Sequence, residues 1–97
     1  MHAAAVCFDL HVPESRSLKA KRAVIRPMVE GLRNRFKVSV AEVDHQDRRQ
    51  RAAIGVALVS GSEGKLREAL DDIERFVAAC PGVELIDTEV AWLETVA

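Results

Sequence analysis

The sequence is poor in the residues on which several classes of protein depend. Its 97 residues include no tyrosine, one tryptophan, three phenylalanines and two cysteines. The cysteines, Cys7 and Cys80, lie in apolar contexts without a Cys-x-x-Cys spacing, which is typical of reduced, packed thiols and argues against a disulfide scaffold. So few aromatic side chains also argue against RNA binding by base stacking across a sheet.

Long apolar runs and targeting patterns are also lacking. The longest uncharged stretch near the middle, residues 52–62, is far shorter than the ~20 residues of a membrane-spanning helix. The first residues show no signal-peptide pattern. We therefore expect a cytoplasmic protein without membrane contact. Its 48% apolar content is enough for one globular domain, residues 1–97, with a core that needs neither metal nor disulfide.

Charge is abundant but unevenly distributed. The chain has a formal net charge of −1, yet residues 14–37 carry eight Lys/Arg against two Glu, a net charge of +6. Residues 62–97 carry three Lys/Arg against nine Asp/Glu, a net charge of −6. A one-sided basic surface is the usual electrostatic signature of a protein with a polyanionic partner.

The apolar pattern predicts four strands and two helices. Residues 3–12 alternate like a half-buried strand, and residues 38–44, 52–59 and 83–93 give three more. Apolar residues at helical spacing predict one helix around residues 18–36 and a second around residues 66–80. The predicted order is β-α-β-β-α-β, the ferredoxin-like α+β fold. Right-handed crossovers then place both helices on one face of a four-stranded antiparallel sheet with the first and third strands at its centre.

Local signals refine these elements. Ser15 or Ser17 can cap the first helix, and Ser60 with Glu63 fits a capping box for the second. Pro27 removes a backbone donor inside the first helix, so we expect a kink there or two helical pieces. In the second strand the apolar parity changes between residues 40 and 41, which predicts a bulge.

The first helix carries a nearly continuous line of positive charge, the cationic ridge. Its members are Lys19, Arg22, Arg26, Arg33 and Lys37.

A second basic group belongs to the hairpin after the second strand. Chain direction predicts that this hairpin lies at the same end of the sheet as the start of the first helix. There the hairpin arginines, Arg48, Arg49 and Arg51, would approach Arg16 and the capping residues Ser15 and Ser17. Exposed amides at a helix N-terminus favour anions, so we expect phosphate binding at this end. The alternative is that these are ordinary solvated Lys/Arg side chains.

Lys21 differs from the ridge because it falls at the edge of the apolar arc of the first helix. Its side chain can reach a carboxylate such as Asp9, Glu42 or Asp47. We favour the interpretation that its aliphatic stem lies along the core while the ammonium reaches water.

The side of the sheet opposite the helices, the open face, should be lined by small residues. The central strands place Ala3, Ala5, Cys7, Ala53, Gly55 and Ala57 on it. A flat surface of this kind suits docking of a partner or sheet-on-sheet association. We expect a homodimer or other homo-oligomer with this interface.

Evidence for catalysis is weak. Asp9 and His11 share one strand face and several acids crowd the nearby hairpin, but the spacing matches no metal signature. Cys7 and His11 are about 13 Å apart along a strand, too far for a nucleophile and its base. Gly61 and Gly64 do not form a phosphate-binding loop. We expect a non-enzymatic protein without metal or cofactor, and a metal-dependent enzyme is the minor alternative.

Two motifs resemble those of a known family. The stretch Ser15-Arg-Ser-Leu-Lys-Ala-Lys-Arg22 is followed by Arg35-Phe-Lys-Val-Ser-Val-Ala-Glu-Val43. Together they resemble the YlxP-like family of small bacterial proteins, the domain of unknown function 503, and the similarity extends through residues 47–59. The resemblance implies a ferredoxin-like fold, a bacterial cytosolic setting and genes that often lie beside translation and ribosome-maturation genes. It implies no activity, and the chain departs from the pattern at Pro27 and His45.

The sequence thus favours a binding protein that associates with RNA or a ribosomal particle through the cationic ridge and the hairpin arginines. The competing hypothesis is an interaction module that self-associates through the open face and has no role with nucleic acid.

Overall fold

The computed structural model describes residues 1–93 and has the predicted order of elements. These are β1 (His2–His11), α1 (Leu18–Phe36), β2 (Ser39–Asp44), β3 (Arg51–Ser60), α2 (Glu63–Ala78) and β4 (Glu84–Leu93). The strands form one antiparallel sheet in the order β2-β3-β1-β4, so β1 and β3 are central. The α+β ferredoxin-like architecture is therefore confirmed.

The core lies between the sheet and the helices. Alternate residues of β1, from Ala4 to Leu10, point to the helices and are buried, as are Ile54 and Val56 of β3. Helix α1 contributes Ile25, Met28 and Leu32, and α2 contributes Leu66, Leu70, Ile73 and Val77. Two polar residues, Ser15 and Lys21, are also buried.

Helix α1 is a single element in spite of Pro27. The helix continues without a break from Leu18 to Phe36, so the expectation of two helical pieces is wrong. Pro27 has no N–H to donate to the carbonyl of Ala23, four residues earlier. Both residues are exposed, so water can solvate that carbonyl. Ser17 is the N-cap, and its hydroxyl oxygen accepts a hydrogen bond from the backbone N–H of Ala20.

The cap of α2 differs from the predicted one. Ser62 is the N-cap and its hydroxyl oxygen accepts from the backbone N–H of Lys65, whereas Ser60 accepts from the N–H of Ser62. The difference has a simple cause, because the two serines Ser60 and Ser62 are both plausible caps for this helix.

The predicted bulge exists in β2, but it lies further along the strand. Val40 pairs with Val56 and Ala41 with Gly55 in regular register, and the register shifts between Glu42 and Asp44. Val43 is the extra residue. A Cβ atom on Gly55 would lie 2.8 Å from Val43 Cγ1, so glycine leaves the space that this side chain occupies.

Within residues 1–93, neither helix combines the length and the apolar character needed to cross a membrane.

Candidate nucleic-acid interface

The cationic ridge is exposed along the whole of α1. Lys19, Arg22, Arg26 and Arg33 follow one another three, four and seven residues apart, which keeps them on neighbouring positions of one helix face. Lys37 is the C-cap, with a left-handed backbone (φ 53°) and its N–H donated to the carbonyl of Arg33. At 1.5 Å per residue the ridge extends about 27 Å from Lys19 to Lys37.

The side chains of the cationic ridge form no ion pairs within residues 1–93. Among residues 1–93, the Lys and Arg side chains within 4.0 Å of a carboxylate are Lys21, Arg51, Arg67 and Arg75. None of these four belongs to the ridge. Within residues 1–93, the ridge side chains therefore have no carboxylate at ion-pair distance.

The ridge borders a groove instead of standing on a flat surface. Arg22, Arg26 and Arg33 line a depression of about 350 Å³ between α1 and the edge strand β2. Arg33 also donates from its guanidinium group to the carbonyl oxygen of Val40 at 2.8 Å. This hydrogen bond holds Arg33 against β2. Among the α1 residues that line the groove, Glu30 is the one acid.

Lys21 joins the start of α1 to the β2–β3 hairpin. Its side chain is 2% exposed. Its Nζ donates to Glu42 Oε2 at 3.0 Å and to the backbone carbonyls of His45 at 2.8 Å and Arg51 at 3.1 Å. The expectation that the ammonium reaches water is wrong, because three acceptors replace its hydration shell inside the protein. Of the three carboxylates predicted to be within reach, Asp9, Glu42 and Asp47, the partner is Glu42.

The hairpin is attached to the β1–α1 loop by further hydrogen bonds. Gln50 donates from its side-chain amide to the carbonyls of Pro13 and Ser15, and its own carbonyl accepts from the N–H of Val12 at 2.9 Å. These contacts bring the loop of residues 45–50 to the end of the sheet where α1 begins. Exposed Arg48 and Arg49 thus lie at the same end as exposed Arg16.

Arg51 has different surroundings from the other two hairpin arginines. It is half-buried at the end of the open face, and its guanidinium group donates to Asp9 Oδ2 at 2.7 Å. Among residues 1–93, Asp9 Oδ1 and Arg51 Nε have no hydrogen-bond partner. This pairing neutralises the charge of Arg51, so Arg51 adds less to the basic surface than Arg48 or Arg49.

The two serines near the start of α1 also differ from each other. Ser15 is 2% exposed, and its hydroxyl donates to the carbonyl of Ser17 at 3.0 Å. It therefore holds the loop together and does not face an external anion, which corrects the expectation for this residue. Ser17 is exposed at the helix N-terminus, where its oxygen serves as the cap.

The six residues predicted for the open face all lie on it. Their positions on β1 and β3 are paired as Ala3 with Val59, Ala5 with Ala57, Cys7 with Gly55, and Asp9 with Ala53. Ala5 and Ala57 are exposed, Ala3, Cys7 and Gly55 are half-buried, and Ala53 is buried. Burial raises the pKa of the Cys7 thiol, and the negative charges of Asp9, Glu89, Asp44 and Asp87 raise that pKa further.

The acidic and histidine side chains near the hairpin form small local contacts. His45 has a left-handed backbone (φ 63°), and its ring nitrogens lie 3.9 Å from Asp9 and 3.9 Å from Asp44. His11 lies 3.6 Å from Glu84. In residues 1–93 no three of the His, Cys, Asp and Glu side chains are arranged to hold a metal ion.

The sequence did not predict the buried role of Lys21 or the groove beside β2. For Lys21, the position at the edge of the apolar arc of α1 was the available signal. No feature of the sequence indicates the groove, because the groove depends on how α1 packs relative to an edge strand.

The fold defines the class of this protein: a ferredoxin-like α+β domain whose first helix is strongly basic. The model of a family described as "Protein of unknown function (DUF503)" matches residues 4–90. The uncharacterized protein YlxP of Bacillus subtilis (strain 168) is 34% identical over 79 residues, which cover 81% of this chain and 86% of the relative. The chain therefore belongs to the DUF503 family, and the resemblance to YlxP-like proteins is confirmed.

Proposed function

We propose that this protein is a non-enzymatic binding protein that associates with cytoplasmic RNA or a ribosomal particle through its basic surface. The surface consists of Arg16, the cationic ridge and the exposed hairpin arginines Arg48 and Arg49. Arg51, paired with Asp9, lies at its margin. The observation that carries the proposal is the absence of carboxylate partners for these side chains within residues 1–93.

The dimensions of the ridge support a polyanionic partner. A nucleic-acid strand in a duplex carries one phosphate about every 3.4 Å, so a ridge of about 27 Å spans several phosphates. The groove between α1 and β2 gives the ridge a concave border. Phosphate contacts of this kind give affinity and orientation without reading sequence.

The tethered hairpin supports the same function. Lys21 and Gln50 fix the hairpin to the start of α1 through five hydrogen bonds. Arg48 and Arg49 are thus held near the helix N-terminus, where the dipole of α1 adds to the positive potential. A basic surface built from two rigidly joined elements loses less entropy on binding than one on a loose loop.

Charge reversal on one helix face tests this function directly. The variant combines Lys19→Glu, Arg22→Glu and Arg26→Glu, three residues that make no side-chain hydrogen bond or ion pair within residues 1–93. Binding to labelled ribosomal RNA is measured by fluorescence anisotropy, and we expect the affinity to fall by at least about 100-fold, since three phosphate contacts become three repulsions.

The matched control reverses three cations on the other helix, Lys65, Arg67 and Arg75. It changes the net charge by the same amount but leaves the basic surface intact. The control should bind within a few-fold of the unchanged protein. Equal losses of affinity in the two variants, or retained binding after reversal on α1, would contradict the proposal.

Self-association through the open face is compatible with this function, because that face lies on the opposite side of the sheet from α1.

A further inference from the structure

The groove between α1 and the edge strand β2 combines a cationic rim with an apolar floor. Arg22, Arg26 and Arg33 border it on the helix side. Buried Ile25 and half-buried Val29, which alternate with these arginines along α1, line its floor. Proteins that bind single-stranded nucleic acid commonly use a positively charged groove that follows the backbone of one strand. The groove has the charge and the concave shape that such binding needs.

The acids of the groove do not cancel its positive charge. Four cations and two acids line it, which gives a net charge of +2. One of the acids, Glu42, is already paired with Lys21 at 3.0 Å. Glu30 is the other, and it lies on the same wall as the three arginines. Phosphates that enter the groove therefore meet an excess of cations.

Arg33 is held in position before any partner binds. Its guanidinium group donates to the carbonyl of Val40 in β2 at 2.8 Å. A guanidinium group has five N–H donors, so the others can serve a phosphate. A side chain that is fixed in this way loses less conformational entropy on binding than a free one.

The other flank of α1 favours a narrow polyanion. There α1 packs against α2, with Gly31 close to the ring of Phe76. The exposed surface of α2 carries four acids: Glu68, Asp71, Asp72 and Glu74. A double helix is wider than an α-helix, so a duplex centred on the cationic ridge would bring phosphates toward these acids. A single strand in the groove beside β2 stays on the opposite side of α1 from them.

We propose that the groove between α1 and β2 holds one unpaired strand of RNA, with its phosphates on Arg22, Arg26 and Arg33. This inference rests on the proposed function and adds to it the form of the RNA, which is single-stranded rather than double-stranded. Contacts to the backbone of the strand give affinity with little dependence on base sequence.

Two RNA probes of equal length test the form of the ligand. One is an unstructured oligouridine of about twelve nucleotides, and the other is a blunt-ended duplex of about twelve base pairs. Fluorescence anisotropy at a single salt concentration measures both affinities, and we expect the protein to bind the oligouridine at least about tenfold more tightly. Equal affinities, or tighter binding of the duplex, would overturn this inference and leave the proposed function standing. Binding to neither probe would overturn the proposed function as well.

A matched pair of substitutions tests where the strand lies. Val29→Glu places a negative charge on the floor of the groove, whereas Val24→Glu places the same charge on the other flank of α1, in the groove shared with α2. Both valines are half-buried, and thermal unfolding checks that both variants fold. We expect Val29→Glu to weaken binding of the oligouridine by at least about tenfold and Val24→Glu by less than about threefold. Equal losses in the two variants would overturn the inference. The two probes test it on the unchanged protein even where a variant does not fold.

Discussion

Lys21 links local sequence to the shape of the basic surface. Its ammonium group is buried with one carboxylate and two backbone carbonyls. One carbonyl belongs to His45 at the start of the hairpin loop, and the other belongs to Arg51 just after it. A lysine ammonium has three protons to donate, and here each has an acceptor. Lys21 therefore holds the hairpin with Arg48 and Arg49 near α1. Its ammonium group does not contact a binding partner.

Replacing Lys21 should destabilise the protein strongly. Lys21→Met keeps the length of the side chain but leaves Glu42 without its counter-charge and two carbonyls without donors, so we expect a loss of about 3 kcal/mol in the free energy of unfolding. Urea denaturation measures it. Lys19→Met, two residues earlier on the exposed side, should change stability by less than about 0.5 kcal/mol. Equal effects of the two substitutions would contradict the buried role.

At the scale of elements, α1 and α2 come close together where Gly31 meets Phe76. A Cβ atom on Gly31 of α1 would lie 2.7 Å from Phe76 Cζ of α2. Phe76 in turn packs edge to face on Phe36, with ring centres 5.8 Å apart. The glycine lets the ring lie directly on the backbone of α1, so this position is fixed by packing.

Two glycine substitutions should therefore change the free energy of unfolding in opposite directions. Gly31→Ala gains helix propensity but must displace the Phe76 ring, and we expect a net loss of about 1 kcal/mol. Gly64→Ala, in the first turn of α2, meets only Ser62 Oγ at 3.8 Å and should gain about 0.5 kcal/mol. Thermal unfolding of both variants gives the comparison. A Gly31→Ala variant as stable as the Gly64→Ala variant would show that the ring moves without cost.

The same elements show how far a sequence can be interpreted. The order of strands and helices, the central pair and the outward parity of Ala5 and Ala57 followed from periodicity and chain direction, because those depend on spacing alone. The cap of α2, the bulge at Val43 and the continuity of α1 through Pro27 did not. Each depends on a choice between near-equivalent local geometries that is settled by packing with the rest of the sheet.

At the scale of the whole molecule, charge is separated along the order of the sheet. Edge strand β2 lies beside the cationic ridge of α1, whereas edge strand β4 carries Glu84, Asp87 and Glu89. The sequence predicted the exposed ridge and its approach to the hairpin. It did not predict that Ser15 is buried or that Arg51 is paired with Asp9, since both depend on contacts between distant segments.

Charge separation of this kind has a consequence for binding. A partner held by the basic surface exchanges phosphate counterions for Lys and Arg side chains, and the released ions make the affinity fall with salt. About five phosphate contacts on a single strand correspond to a slope near −3.5 in a plot of log affinity against log salt concentration. Contacts made by neutral side chains or by the open face would give little slope.

The central claim is that unpaired cations on one surface bind a polyanion. Its most direct test is the affinity of the protein for single-stranded ribosomal RNA across a series of salt concentrations. We expect a linear log–log plot with a slope of about −3 or steeper. No detectable binding at low salt, or an affinity that does not change with salt, would contradict the claim.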